Sequence, residues 1–501
     1  MPWLDRFRNR HFLNAGSAIY LFAVRVIVSV LQLRFVERVW GGSYSGLNAL
    51  SNQVLLYTTL LELGLAQAAI TFLYEPIATG NHEKVSATLC ALRHDMRRLL
   101  VLGACFAFPV LAVYAHAMHS QVPMSTLLPT LWLIAFTGLV QLATLHFQVY
   151  LNAAERISRV NFVLGSGYLV KTAVGLPLAI HYHQYLLLPG TIALLTFGEF
   201  AALKVAFGRN FPQFSFVDTW REMARSIRSR AKYVVVGRVA GLAYYQSDFI
   251  ILSLTASLVI VKDYAKYQYV AAALLSVVGM VSVALTASIA RLQLRHEAET
   301  RRQQYVLAQR AVALIGAVMM LGYWFTAQTV VKLAFGYSSG ITRNTIILFG
   351  IALFLNIVKT ADDVFLAAKG LYEVGFWIPA VEVPTYVMMG YFLSRRMGIP
   401  GILVASIVTN LAISVLCKGI VLARPVFDST PMQWFGARLM SVGRAAVISA
   451  PMAVLYIAIP KSLHHGAVLT FVVTNGVAGM YALAMVSLMI THYRSGRRAA
   501  V

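Results

Sequence analysis

The chain has 501 residues, of which 59% are hydrophobic and only 12% charged, and its mean hydropathy is +0.69. A soluble globular protein does not sustain that balance, so the solvent this sequence fits is a lipid bilayer. The formal net charge of +23 would point to nucleic acid in a soluble protein. Here its placement follows membrane topology instead, and no nucleic-acid partner is expected.

A helix crosses the hydrocarbon core with about 20 apolar residues, whereas a barrel strand alternates over about 10. The apolar runs here are long and unalternated. They predict an all-α polytopic membrane protein with about 14 transmembrane helices, at 12–34, 46–73, 99–118, 125–150, 160–181, 186–207, 233–255, 264–290, 307–325, 344–368, 375–393, 401–422, 445–460 and 467–490. The first has a basic flank but is too long for a signal-peptide core and lacks a small-residue cleavage site, so it is expected to stay as helix 1. One alternating set of loops, with both termini, holds several times as many Lys and Arg as the other, including Arg6, Arg8, Arg10, Arg494, Arg497 and Arg498. The positive-inside rule puts that set, and both chain ends, in the cytoplasm. The longest loops reach only about 25 residues, which leaves no room for a separate soluble domain. Cys90, Cys105 and Cys417 fall in spans or a cytoplasmic loop, where a disulfide framework is not expected.

The basic stretch 209–232 between helices 6 and 7 is the natural boundary between an N-terminal lobe, 1–208, and a C-terminal lobe, 233–422. Within it Trp220, Met223, Ala224, Ile227 and Ala231 follow i, i+3, i+4 spacing, and Arg221, Arg225, Arg228 and Arg230 take most other positions. That pattern describes an amphipathic helix lying on an anionic membrane surface, or a basic topogenic loop with no further role. A faint repeat supports a six-plus-six arrangement: Leu-Asn-Ala-Ala at 151–154 echoes Leu-Ala-Ala-Lys at 366–369, six helices on. Residues 423–501 would add two helices with almost no internal charge and a basic tail.

A charge near the bilayer centre costs about 2.5–3.5 kcal/mol on insertion scales, so each one implies a partner, a water-filled path or a use. The deep cations are Arg25, Lys171, Arg238, Lys359 and Lys418, and the deep anions are Glu62, Glu199, Asp248, Asp362, Asp363 and Glu382. Arg25 lies half-way along helix 1 among Val and Ile, where no snorkel reaches water. Lys171 is equally central in helix 5, while Arg238 and Lys418 lie nearer an interface. Helix 10 is the most polar, with Asn356, Lys359, Asp362 and Asp363; Lys359 and Asp363, four apart, are expected to pair across one turn, as a structural bridge or as an ion-sensitive switch. Glu62 and Asp248 are more isolated carboxylates, suited to proton or sodium coupling or buried as neutral acids. No phosphate-binding Gly-rich loop, metal-ligand spacing or nucleophile elbow appears, so neither an enzyme nor a cofactor is expected.

Three stretches carry a family resemblance: Tyr44 to Ala69, ending Leu-Leu-Glu-Leu-Gly-Leu-Ala; Gln246-Ser-Asp-Phe-Ile-Ile-Leu-Ser with the following Asp263-Tyr-Ala; and the layout of helices 10 to 12. The chain resembles the polysaccharide (Wzx-type) flippases of the multidrug/oligosaccharidyl-lipid/polysaccharide (MOP) exporter superfamily over most of residues 10–425. The resemblance implies two six-helix lobes around a central cavity plus two C-terminal helices, in a bacterial cytoplasmic membrane. It implies alternating access for a polyprenyl-diphosphate-linked oligosaccharide destined for surface polysaccharide, beside a polymerase and glycosyltransferases. Arg25, Lys171, Arg238 and Lys359 would then be the substrate-binding cations, since Lys and Arg can replace a diphosphate's hydration. Glu62, Asp248, Asp362 and Asp363 would couple transport to an ion, H+ or Na+. Three other readings compete: a cation-coupled multidrug exporter of the same superfamily, a flippase for the peptidoglycan lipid precursor, and a membrane-embedded glycosyltransferase or polymerase, which the short outer loops disfavour.

Overall fold

A computed structural model of the chain describes residues 2–418 apart from 60–61, 63, 119–121, 216, 218–219, 296–297, 337–339 and 370–371, together with Gly443. The expected helices at 445–460 and 467–490, and the tail, lie outside the described residues. The fold is that of an all-α polytopic membrane protein, with no strand among the described residues. In order come α1 (Pro2–Trp40), α2 (Gly42–Thr59), α3 (Leu65–Thr79), α4 (His82–Ala117), α5 (Met124–Ala143), α6 (Leu145–Ala153), α7 (Ile157–His181) and α8 (Leu187–Asn210). They are followed by α9 (Trp220–Thr255), α10 (Leu258–Arg295), α11 (Ala298–Phe335), α12 (Arg343–Val358), α13 (Thr360–Lys369), α14 (Tyr372–Met397), α15 (Ile399–Thr409) and a π-helical stretch, Asn410–Cys417. Among the described residues eight helices are long and apolar enough to cross a membrane.

As far as its residues are described, each of the first twelve expected spans coincides with helix, but three are split and one changes type. The span 46–73 is two helices: α2 stops at Thr59 and α3 starts after Gly64, which sits in the left-handed region at φ 66° that a β-carbon disfavours. The span 125–150 divides at Thr144, whose hydroxyl donates to Gln141 O at 2.6 Å and so competes with the helical ladder. The span 344–368 divides at Lys359. The last described span widens into π-helix at Asn410, a local insertion often found where a helix carries function. Elsewhere the ends follow ordinary capping: Gly80 (φ 69°) closes α3, and the Asn81 side chain accepts from Lys84 N at 3.0 Å to open α4.

The chain divides into two compact units, Met1–Ala265 and Lys266–Val501. In the first, α1 packs on α7 and α2, α7 on α8, α5 on α2, α4 and α8, and α9 on α3 and α4. In the second, α11 packs on α12, α14 on α15, and α15 on α12. α9, which opens within 209–232, packs on α3 and α4 of the first unit. The amphipathic stretch is the opening of α9, and its apolar face is covered by protein rather than laid on a membrane surface. Ala224, Ile227 and Ala231 are buried in one cluster with Leu65, Leu73, Leu89 and Leu92. The Trp220 ring lies 4.3 Å from that of His94, and Arg228 Nε is 3.5 Å from Asp95 Oδ2.

Close backbone approach is built in at Gly46, where a β-carbon would lie 1.8 Å from the backbone oxygen of Leu258. Backbone cannot rotate aside as a side chain can, so Gly46→Ala should destabilise the first unit by about 1–3 kcal/mol. Thermal unfolding of the purified chain checks this against Gly190→Ala, whose β-carbon meets nothing within 4 Å and which should unfold as the parent does.

Candidate functional site

The α1–α7 contact is a ladder of polar pairs. Asn14 donates to Glu155 O at 3.0 Å and accepts from Ser158 N at 3.2 Å; Asn161 donates to Ser17 Oγ at 3.0 Å; Tyr20 and Ser166 share a hydrogen bond at 3.3 Å; Gln32 donates to Thr172 Oγ1 at 2.8 Å. Residue numbers climb together on both helices, so the two run in the same direction. In hydrocarbon such pairs cost nothing in competing water contacts, and small residues allow them to form. A β-carbon on Gly165 would lie 2.5 Å from the Tyr20 ring, and one on Gly167 1.9 Å from Glu199 Oε1.

Arg25 sits within this ladder. Its side chain is exposed, and its guanidinium lies 5.2 Å from the centroid of the Tyr168 ring, within cation–π range. Lys171, one turn further along α7, faces the same ring at 5.7 Å but is buried, with Nζ 2.6 Å from Glu199 Oε2 on α8. The cluster thus holds two cations and one carboxylate. Lys171 is neutralised inside the fold, and the accessible charge is that of Arg25.

The carboxylates expected to couple ions are separately housed. Asp248 on α9 is buried and accepts a hydrogen bond from Tyr264. Glu62 is buried in the break between α2 and α3. In the second unit Asp362 is fully buried and accepts from Tyr305 and Gln309, both on α11. Asp363, beside it, has a half-exposed side chain. The expected Lys359–Asp363 pairing is corrected: Asp363 Oδ1 is 2.6 Å from Lys418 Nζ, and Lys359 donates to Asn410 Oδ1 at 2.9 Å. The turn itself is present, with Asp363 N donating to Lys359 O at 3.3 Å, but each side chain is drawn instead to a partner more than 50 residues on. Ser414 donates to Glu382 Oε1 at 2.7 Å, so Asn410 and Ser414 of the π-helical stretch serve two buried charged residues. Arg238 lies on α9, with its side chain outside the described residues. Among the described residues no cluster of three His, Cys, Asp or Glu is placed to hold a metal.

Sequence reasoning placed Glu199 among the deep charges but not against Lys171, and it passed over Tyr168 and Asn410. A signal for the pair existed. Lys171 lies ten residues before His181, the end of α7, and Glu199 twelve after Leu187, the start of α8, so a tight helical hairpin sets them at similar depth.

This fold and its buried charges define an all-α polytopic membrane architecture. The structure is similar to that of the Lipid II flippase MurJ in an inward closed conformation, with TM-score 0.67 and 11% identity over 95% of this chain and 100% of that one. It is also similar to an inward-facing multidrug resistance MATE family transporter of the MOP superfamily, with TM-score 0.63 and 12% identity over 87% and 95% of the two chains. A Vibrio cholerae MATE transporter in the bent form gives TM-score 0.52 at 12% identity over 87% and 99%. At these identities the likeness is one of fold, and the folds are those of transporters. No family model and no curated protein matches the sequence.

Removing one partner of a buried ion pair leaves an uncompensated charge, at a cost of about 3–5 kcal/mol, while apolar replacement of both is often neutral. Lys171→Met should therefore lower the thermal stability and yield of purified protein, and Lys171→Met with Glu199→Leu should restore both; a single variant as stable as the parent would remove the pair from the fold's supports.

Proposed function

We propose that this chain is a flippase that carries a polyprenyl-diphosphate-linked oligosaccharide across the cytoplasmic membrane for surface-polysaccharide assembly, working beside glycosyltransferases and a polymerase. The observation that carries the reading is Arg25: a guanidinium at mid-span, accessible, held against an aromatic face and not used up by a carboxylate. A diphosphate leaving water needs such a donor, and a planar guanidinium offers it two parallel hydrogen bonds. Lys171 is a reserve cation in this reading. When Glu199 takes up the coupling ion, H+ or Na+, Lys171 is released to the phosphate, which ties hold on the cargo to that ion. Arg238 and Lys359 are further cations for the anionic cargo, and Asp248, Asp362, Asp363 and Glu62 are further sites for the coupling ion.

The likeness in fold to the Lipid II flippase MurJ favours a second reading, in which the cargo is the peptidoglycan lipid precursor. Both cargoes present a diphosphate to Arg25, so the glycan decides. Extraction and mass analysis of lipid-linked sugars from cells with and without the chain separates the two: a surface-polysaccharide intermediate accumulating without it supports the first reading, and rescue of cells depleted of their own precursor flippase supports the second. Loss of a charge-assisted contact is worth about 1.5–3 kcal/mol, so Arg25→Ala should cut export roughly tenfold to a hundredfold at unchanged membrane insertion, with Arg25→Lys intermediate. Export at the parent rate in Arg25→Ala would sink the role of Arg25.

A further inference from the structure

A groove of about 770 Å³ runs between α7 and α8 on the outside of the first unit. Phe162, Val205, Ala202 and Ala206 wall it, and Arg159 and Arg209 stand at one end. Arg159 belongs to the first turn of α7 and Arg209 to the last turn of α8, the end that the loop charges assign to the cytoplasm. Both arginines are exposed, and neither has a carboxylate within ion-pair distance among the described residues. Arg156, by contrast, is engaged by the Asn210 side chain, and Arg159 also lines a smaller adjoining hollow together with Glu155. The site therefore pairs an apolar slot running towards the bilayer interior with two free guanidinium groups at headgroup depth. Exposed apolar walls (Phe162 at 43%, Val205 at 53%) suit an acyl chain, and the cation pair suits a phosphate diester.

We propose that this groove is a binding site for an anionic phospholipid of the surrounding membrane, its phosphate bridging Arg159 and Arg209 and one acyl chain lying along Phe162 and Val205. The charge complementarity selects phosphatidylglycerol over phosphatidylcholine, because the choline cation repels the arginine pair while the glycerol headgroup adds only hydroxyls. Occupancy by such a lipid would fill the seam between α7 and α8, the hairpin that carries Lys171 and Glu199. The proposal rests on the groove alone and stands whichever cargo the chain carries.

The test is native mass spectrometry of the delipidated full chain titrated with dioleoyl phosphatidylglycerol and dioleoyl phosphatidylcholine. The parent should bind the first roughly tenfold more tightly, and Arg159→Gln with Arg209→Gln should erase that preference, at unchanged thermal stability. Arg395→Gln with Arg396→Gln, a basic pair on α14, should keep it. Ala202→Trp, which fills the slot and spares both charges, should remove one bound lipid of either kind. Equal affinity for the two lipids in the parent, or an undiminished preference in the Arg159/Arg209 variant, would overturn the proposal. So would displacement of phosphatidylglycerol by lower concentrations of undecaprenyl phosphate, which would assign the groove to a polyprenyl carrier instead.

Discussion

A bilayer offers no water to a charge, and that constraint organises the rest of this structure. At four buried charges among the described residues, the fold brings an answering group from another helix. Lys171 meets Glu199 from α8; Lys359 meets Asn410 from the π-helical stretch; Asp362 meets Tyr305 and Gln309 from α11; Asp248 meets Tyr264 from α10. These contacts select which helices may pack together more sharply than apolar contact does, because lipid tails compete well for Leu and Val but cannot replace a hydrogen bond.

The same constraint explains where helices are irregular. A straight α-helix satisfies its own backbone and presents side chains at fixed angles, so aiming a polar group at a chosen partner often requires a local departure. Lys359 sits where α12 gives way to α13, and its partner Asn410 is the first residue of π-helix. Glu62 sits in the break before α3, which Gly64 makes possible by adopting φ 66°. Glycine does the complementary work between helices. Gly165 and Gly167 lower the surface of α7 by one side chain each, and Tyr20 and Glu199 occupy the space.

Local features were legible in the sequence and long-range ones were not. Hydropathy located the helical stretches among the described residues, eight of them long and apolar enough to cross a membrane, because burial in lipid is an average over about 20 residues. The position of Arg25 within the apolar part of helix 1 was legible for the same reason, since it depends only on distance along one helix. The partner of Asp363 was not: the nearest cation in sequence is Lys359, yet the ion pair is with Lys418, 55 residues away. Likewise the spacing of Trp220, Ala224, Ile227 and Ala231 shows correctly that one face of that helix is covered. It does not say by what, and protein from α3 and α4 rather than lipid supplies the cover. Periodicity reports burial, and only tertiary structure reports the identity of the burying surface.

The Arg25 cluster shows how a fold can hold a charge ready rather than satisfied. An arginine placed alone among Val and Ile would snorkel or drag in water. Here the π-face of Tyr168 stabilises the guanidinium by about 0.5–2 kcal/mol, well short of what a buried carboxylate would give, and leaves its in-plane N–H donors free. The carboxylate that could have quenched it, Glu199, is drawn to Lys171 at 2.6 Å and seated against Gly167. Lys171 thereby does for Arg25 what no direct contact could: it keeps the nearest anion occupied. The arrangement makes the availability of the Arg25 guanidinium depend on two other helices, α7 and α8. A change at Gly167 on α7 that displaced Glu199 would bear on Arg25 through the pair it belongs to, without touching Arg25 itself.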